Sequence, residues 1–365
     1  MKKDRRWGLP ANARYIDRKY DNSTDYRLFD AASGSFISDI SRFDGLDYRQ
    51  QVATVSAICI SNFFKRKLSV GAGLRGEYLI NRGTYLNTGT PMHYEDWNIM
   101  PSASFAFRFG LNSLSAGYSS SVRRPKADML NPYRDISDPE NIVTGNPDLK
   151  GEYTHSVNAG YSRSFRIKWL SGIDISYTYS ATPNAIERLT EVSPENISLT
   201  TYGNIGNRSS HSVSAEVNLR PVKSLFIKLH GGYTVSDYIL SDGNRNTVGI
   251  FNASASITAA VKNWSIHSIT ALTPTQMSAQ TKESILQPYM TVMVSKTFSK
   301  INLGISLNCE DLLHGNSMKK SVIGSEDFIQ TRLTQRLGRT FSLSVYWQFG
   351  KFRKRGAVEQ SAYDM

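Results

Sequence analysis

The 365-residue chain lacks any uninterrupted apolar run near the roughly 18 residues that a membrane-crossing helix needs, which excludes such a helix. That does not exclude a membrane protein. A strand that crosses a bilayer alternates apolar and polar residues, so its mean hydropathy, −0.36 for this chain, reads like that of a water-soluble protein. Cysteine is scarce: Cys59 and Cys309 stand far apart, with no CxxC pair, so a zinc ribbon or dithiol redox motif is not supported. Both thiols are expected to be buried or wall-facing. The six histidines are scattered, with no HExxH pair and no His/Cys cluster, and no metal or other cofactor is expected. No GxSxG elbow or spaced catalytic set is present, so no catalytic residue is assigned and an enzyme is not expected. No apolar stretch follows the basic Met1-Lys2-Lys3, so these residues are not expected to act as a signal peptide. Acidic residues are in deficit, 31 against 43 basic ones, which gives a net charge of +12. The basic residues fall mostly at turns and strand ends rather than in a stripe interleaved with aromatics, so nucleic acid is not expected as a partner.

What is present is period-two alternation. It runs through Ile173-Asp174-Ile175-Ser176-Tyr177-Thr178-Tyr179, Phe251-Asn252-Ala253-Ser254-Ala255-Ser256-Ile257 and Ile301-Asn302-Leu303-Gly304-Ile305-Ser306-Leu307. Each apolar set then points to one sheet face and each polar set to the other. Strands are expected near 14–30, 50–61, 67–79, 97–109, 114–121, 153–164, 169–182, 207–220, 225–236, 248–260, 264–273, 285–298, 301–308 and 339–349. Short connections of a few residues (62–66, 110–113, 165–168, 221–224, 261–263, 299–300) alternate with long ones (80–96, 122–152, 183–206, 237–247, 274–284, 309–338). That parity is the habit of outer-membrane barrels, with short periplasmic turns and longer extracellular loops. The expected fold is an all-β antiparallel transmembrane β-barrel of about 14 strands, an even number. The expected organisation is a disordered or periplasmic leader at 1–13, an outer-membrane β-barrel at 14–350 and a basic C-terminal tail at 351–365.

Aromatics support the two rims. Phe63, Phe64, Phe109, Phe165, Trp169, Phe226, Trp264, Phe298 and Phe349 lie beside the short turns. Tyr78, Tyr94, Trp97, Tyr153, Tyr179, Tyr202, Tyr238 and Tyr289 lie toward the long loops. Two belts of amphipathic rings are expected. If the apolar sets face lipid, Arg75, Glu77, Arg108, Asp174, Glu216, Lys228 and His230 face the lumen, where water removes the cost of burying charge. Gly71-Ala72-Gly73-Leu74-Arg75-Gly76 matches GxGxxG in letters only, since it lies inside an alternating segment with no helix after it.

The segment from Arg123-Arg124-Pro125 through Leu130-Asn131-Pro132-Tyr133 to Gly145-Asn146-Pro147-Asp148-Leu149-Lys150-Gly151-Glu152-Tyr153 is distinctive. It resembles the barrel of TonB-dependent-receptor-like outer-membrane proteins of Bacteroidetes, with Gly151 in place of a proline common there. Gly73-Leu74-Arg75-Gly76-Glu77 is similar to a strand of that family, Asn308-Cys309-Glu310-Asp311-Leu312-Leu313 to its N-D-L-F element, and Arg339 to Lys351 to its terminal strand. The resemblance spans roughly 45–352 and implies a barrel of about 22 strands. Neither the plug domain nor the TonB box of that family is visible, so the chain is expected to be the C-terminal part of such a receptor or a shortened closed barrel.

The resemblance implies the wall of a nutrient-uptake transporter in the outer membrane of a Gram-negative bacterium. The alternative is a passive channel or a structural or adhesive barrel. Ligand contacts are expected in the loops, at Arg123, Arg124, Asn131, Tyr133, Asn146, Asp148 and Tyr153. Phe341, Trp347 and Phe349 are expected to form the terminal strand read by the barrel-assembly machinery. Further expected partners are outer-membrane lipid and lipopolysaccharide, the TonB complex, a surface lipoprotein and an unidentified nutrient.

Overall fold

The computed structural model describes residues 6–39, 44–86, 89–136, 138–240, 243, 245–274, 280–283, 286–313, 318–324, 328–335 and 338–349. The period-two segments form one antiparallel sheet in which sequence neighbours pair. Its wall strands are β1 (Ala11–Thr24), β2 (Asp44–Phe63), β3 (Leu68–Tyr85), β4 (Thr90–Phe109), β5 (Asn112–Arg123), β6 (Glu152–Ser164) and β7 (Leu170–Thr182). They continue as β8 (Gly206–Val222), β9 (Leu225–Leu240), β10 (Arg245–Val261), β11 (Trp264–Pro274), β12 (Leu286–Phe298), β13 (Leu303–Glu310) and β14 (Thr340–Trp347). A short forerunner of β1, Arg6–Gly8, pairs with the same strand β2. Pro10 separates the two pieces because it has no N–H to give the ladder, although its carbonyl still accepts from Ile58 N. Pairing therefore begins within the expected leader. The expected tail, 351–365, lies outside the described residues.

Fourteen strands match the expected number. β1 and β14 each pair on one side only among the described residues, so the sheet is open and the shortened closed barrel is not observed. At the short turns the expected boundaries hold to within about three residues. The turns are tight because residues accept left-handed backbone: Phe64, Lys65 and Arg66 at φ 50°, 55° and 66°, Gly110 at 60° and Lys262 at 53°. At the opposite end the strands outrun expectation. The hairpins β2–β3, β3–β4 and β9–β10 continue to Tyr85, Thr90, Leu240 and Arg245 where long loops were expected, and β2 starts at Asp44, ahead of the expected strand 50–61. A crossing takes about 9–11 residues, so a strand of 20 such as β2 stands well clear of the bilayer. Its outer half loses the apolar alternation because its apolar residues change face: Leu46 lies on the polar side, buried with Tyr85 and Met92 against Tyr48 and Ala127, and a lipid-facing period cannot report it.

Register sorts every wall residue onto one of two faces. Val55, Leu74, Ile99, Val157, Ile175, Val213 and Leu229 share an apolar face and are exposed on it, Ile99 by 63%. An apolar surface of this extent is stable only against lipid. The other face carries mostly hydroxyl, amide and charged groups. On it Ser156–Ser180, Ser176–Ser214, Thr154–Thr182 and Ser212–Thr234 join across strands at 2.7–2.9 Å, each pair contributing about 0.2–1 kcal/mol.

The two longest loops between β5 and β8 are folded. Arg134–Asp135, Asn141–Thr144, Ile186–Val192 and Ser198–Asn204 form a four-stranded sheet, with Asn141–Thr144 parallel to Ser198–Asn204. A single helical turn, Ala127–Leu130, packs beneath it: Leu130, Leu149 and Ile186 make a small core, flanked by Met129 and Tyr202. A three-stranded sheet, Thr281–Glu283, Met318–Gly324 and Ile329–Gln335, occupies the loops before β12 and β14.

Candidate functional site

All seven residues expected to face the lumen lie on the polar face. Arg75 and Glu77 stand opposite Met100 and Asn98, and Arg108 stands opposite Ser113. Asp174, Glu216 and His230 follow one another across β7, β8 and β9, with Lys228 opposite Asn218. Lys228 Nζ is 2.8 Å from Glu216 Oε2, and Asn218 Nδ2 donates to Glu216 Oε1 at 3.1 Å.

Two further clusters join this wall to the folded loops. In the first, Glu77 is 3% exposed and accepts from Arg75 Nη2 at 2.5 Å and Thr54 Oγ1 at 3.1 Å. Arg124 forms an ion pair with the same carboxylate, and its Nε stands 3.6 Å from Asp96 Oδ2, beyond hydrogen-bond range. Asn98, fully buried, donates to Asp96 Oδ2 at 2.9 Å. In the second cluster Glu152, 1% exposed, accepts from Arg123 Nε at 2.6 Å, Arg208 Nη2 at 3.3 Å and the Ile186 backbone N–H at 2.5 Å. Arg208 also donates to Glu187 Oε1 at 3.1 Å, and Arg123 Nη2 to the Ile186 carbonyl at 3.0 Å. Charges buried this deeply persist because they are paired and hydrogen-bonded.

The residues expected to contact ligand therefore divide. The guanidinium groups of Arg123 and Arg124 tie loop to wall. Asn131 Oδ1 accepts from Tyr133 N at 3.1 Å, and Asn146 Oδ1 accepts from Asp148 N at 2.9 Å, both as turn locks inside the loop. Asn146 Nδ2 further donates to the Tyr202 carbonyl at 3.0 Å, which ties the two loops together. Asp148 is exposed. Tyr153 points to the apolar face, where its hydroxyl donates to the Trp97 carbonyl at 3.1 Å, so it is a lipid-side residue rather than a ligand contact.

The same parity corrects the aromatic belts. Tyr78, Trp97, Tyr153 and Tyr179 do lie on the apolar face, with Tyr78 and Trp97 stacked at 5.0 Å. Tyr94, Tyr238 and Tyr289 pair into the polar face, Tyr202 belongs to the loop sheet, and Phe226 at the other rim is also on the polar face. Each of the misplaced wall rings is one residue out of phase with the apolar set of its strand. Phe341 and Trp347, by contrast, lie on the apolar face of β14 with Leu343 and Val345, and Trp347 Nε1 donates to the Ile301 carbonyl at 3.0 Å. The glycines of the GxGxxG run all lie within β3, and a side chain at Gly73 would meet Ser102 Oγ at 2.6 Å, so the run serves close strand packing rather than phosphate binding.

A cavity of 1130 Å³ opens between the polar faces of β1–β3 and segment 124–131. Arg14, Arg18, Arg75, Arg124 and Lys126 line it against Glu77 and Asp128, with Tyr20 and Tyr48 stacked at 4.6 Å on one side. Its excess of cations suits an anionic occupant. Arg14, Arg18, Lys126, Glu152 and Arg208 were not singled out from sequence. Parity within β1 places Arg14, Ile16 and Arg18 together, but only pairing with β2 shows which side they face.

The family profile of the outer membrane protein beta-barrel family matches residues 3–347. The chain belongs to that family. This outer-membrane barrel protein is also similar in structure to the copper transporter OprC, with a TM-score of 0.67 and 13% identity over 94% of this chain and 56% of OprC. It is similar to the siderophore receptor PiuA from Acinetobacter baumannii, with a TM-score of 0.58 and 14% identity over 93% of this chain and 52% of PiuA. A third similar structure is the Serratia marcescens hemophore receptor HasR, solved as a double mutant with hemophore HasA and heme, at a TM-score of 0.57 and 13% identity over 94% and 60% of the two chains. At such identities the likeness shows a shared fold, and the chain spans little more than half the length of these structures. No curated protein sequence matches it. The barrel protein resides in the outer membrane, with its apolar face against lipid and its polar face toward the lumen.

Proposed function

We propose that the chain forms wall and loops of a TonB-dependent uptake transporter, for a nutrient too large or too scarce to enter by diffusion. The observation that carries this reading is the folded loop sheet fastened to the polar wall through Glu77 and Glu152 beside a cavity rich in arginine. A passive pore has no need of so rigid an entrance. The edges of β1 and β14, unpaired among the described residues, support a wall that further strands complete, because unpaired strand edges are strongly disfavoured in lipid. The resemblance of the 123–153 segment supports a source among the Bacteroidetes, where a surface lipoprotein would meet the loop sheet and the TonB complex would supply the energy. The role is transport without covalent chemistry, and β14 is the strand offered to the assembly machinery.

The test is a clean deletion strain grown on panels of scarce nutrients. The expected result is a defect confined to one nutrient and reproduced by deleting TonB. A defect that leaves TonB mutants unaffected would favour the passive channel, and normal growth on every panel would refute uptake.

A further inference from the structure

The charge of this protein is not spread over it. Within four residues of the six short turns there are thirteen Lys and Arg residues and no Asp or Glu. The whole excess of +12 resides at that end, and the remainder of the chain is within one charge of neutral. Lys65, Arg66 and Lys67 in the first turn, Arg166 and Lys168 in the third and Lys300 in the last are exposed, and none forms an ion pair among the described residues.

The same rim carries rings at lipid height. Lys296 lies on the apolar face, its Nζ 4.5 Å from the centre of the Trp264 ring and 5.1 Å from that of Phe298. Arg163 lies 5.1 Å over Phe165. Cations held against aromatic faces on the lipid side are placed laterally, toward neighbouring headgroups, rather than down into the periplasm. Trp169 and Trp264 are each about half exposed beside them. Aromatic rings of this kind settle at the headgroup level.

We infer that this rim binds the phosphate headgroups of anionic phospholipids in the inner leaflet of the outer membrane. The exposed turn cations meet the headgroups from below, and Lys296 and Arg163 meet them from the side. The attraction acts within a Debye length of about 10 Å and weakens with salt. The short turns are the periplasmic end of such barrels, so the lipid in question is phospholipid and not the lipopolysaccharide of the opposite leaflet.

The test uses the full chain reconstituted in nanodiscs of equimolar phosphatidylcholine and phosphatidylglycerol. Tryptophan quenching is read with either lipid carrying brominated acyl chains. Brominated phosphatidylglycerol is expected to quench at least twofold more strongly than brominated phosphatidylcholine, and 0.5 M NaCl is expected to abolish the difference. Changing the six turn cations named above to Gln should bring the ratio to one. K296Q alone should lower it partway. W97F, a substitution at the opposite rim, should leave it unchanged, which separates loss of the rim from loss of folding. Equal quenching by both lipids in the unaltered protein would overturn the inference, as would a preference that survives the turn substitutions. Turn-dependent binding of polyglutamate without any lipid preference would also overturn it, in favour of an acidic protein partner.

Discussion

Replacing Glu152 with Ala should loosen the loop sheet and leave the wall intact. The carboxylate is 1% exposed and is shared by Arg123, Arg208 and the Ile186 N–H, which opens the first strand of the loop hairpin. Removing one partner of a fully buried ion pair costs about 3–5 kcal/mol. Here the arginine side chains are 51% and 30% exposed and can turn to water, so the loss falls to about 2–3 kcal/mol. That corresponds to about 30- to 140-fold more frequent opening, and hydrogen exchange reads it directly. Amides of Ile186–Val192 and Ser198–Asn204 should exchange faster by that factor, while those of Leu170–Thr182 in the wall should not change. Glu152→Gln keeps an acceptor for Ile186 N and loses only the charge, so its effect should be nearer tenfold, about 1.4 kcal/mol. An acceleration below threefold in the alanine variant, or equal acceleration in the wall, would show that Glu152 does not fasten the loops.

Leu130→Ala removes the centre of the loop core with Leu149 and Ile186, a loss of about 2–4 kcal/mol. Thermolysin should then cut within 183–205, and a wall still resistant to heating in detergent would confirm that the two parts are separable. Leu229→Arg puts a charge on the lipid face between Val217 and Ala255, and refolding into vesicles should lose about 2–4 kcal/mol in a urea titration. Ser254→Arg, at similar height on the polar face opposite His230, should change the midpoint little, and equal losses would mean that the faces are misassigned. Gly83→Ala brings a methyl group 2.3 Å from the Asp47 carbonyl and 2.5 Å from Tyr48 Cβ, so the outer hairpin must shift at about 1–3 kcal/mol. The temperature at which the folded gel band disappears should fall, and an unchanged band would show that the strands can part there.

The wall was legible because a barrel strand meets lipid on one face and water on the other, and that contrast is written in alternate residues such as Ile173 to Tyr179. Legibility ended where the contrast ended. The outer part of β2, from Asp44 to Arg49, carries Leu46 on the polar face, buried with Tyr85 and Met92, and so reads as loop. The hairpin of Ile186–Val192 and Ser198–Asn204 packs against other loop segments through Leu130 and Leu149, contacts that no local period encodes. Counting aromatics by height without parity placed Tyr94 and Tyr238 in a belt, although Asp96 and Asn98 share the phase of Tyr94 and mark its side. Arg123 and Arg124 were conspicuous, but their partners Glu152 and Glu77 come from other strands, so sequence flagged the cations and not the joint they make.

The hydroxyl pairs along the polar face have a kinetic consequence. A serine or threonine O–H rotates freely and both donates and accepts. Ser156, Ser176, Ser180 and Ser214 can therefore release one another and take up a passing solute, then re-form, without leaving a group stranded. A solute moving along such a surface exchanges partners of nearly equal strength at each step and meets no deep trap. Under the proposed uptake role, the middle of the wall offers slip rather than grip, and discrimination among solutes is left to the charged joints at its outer end.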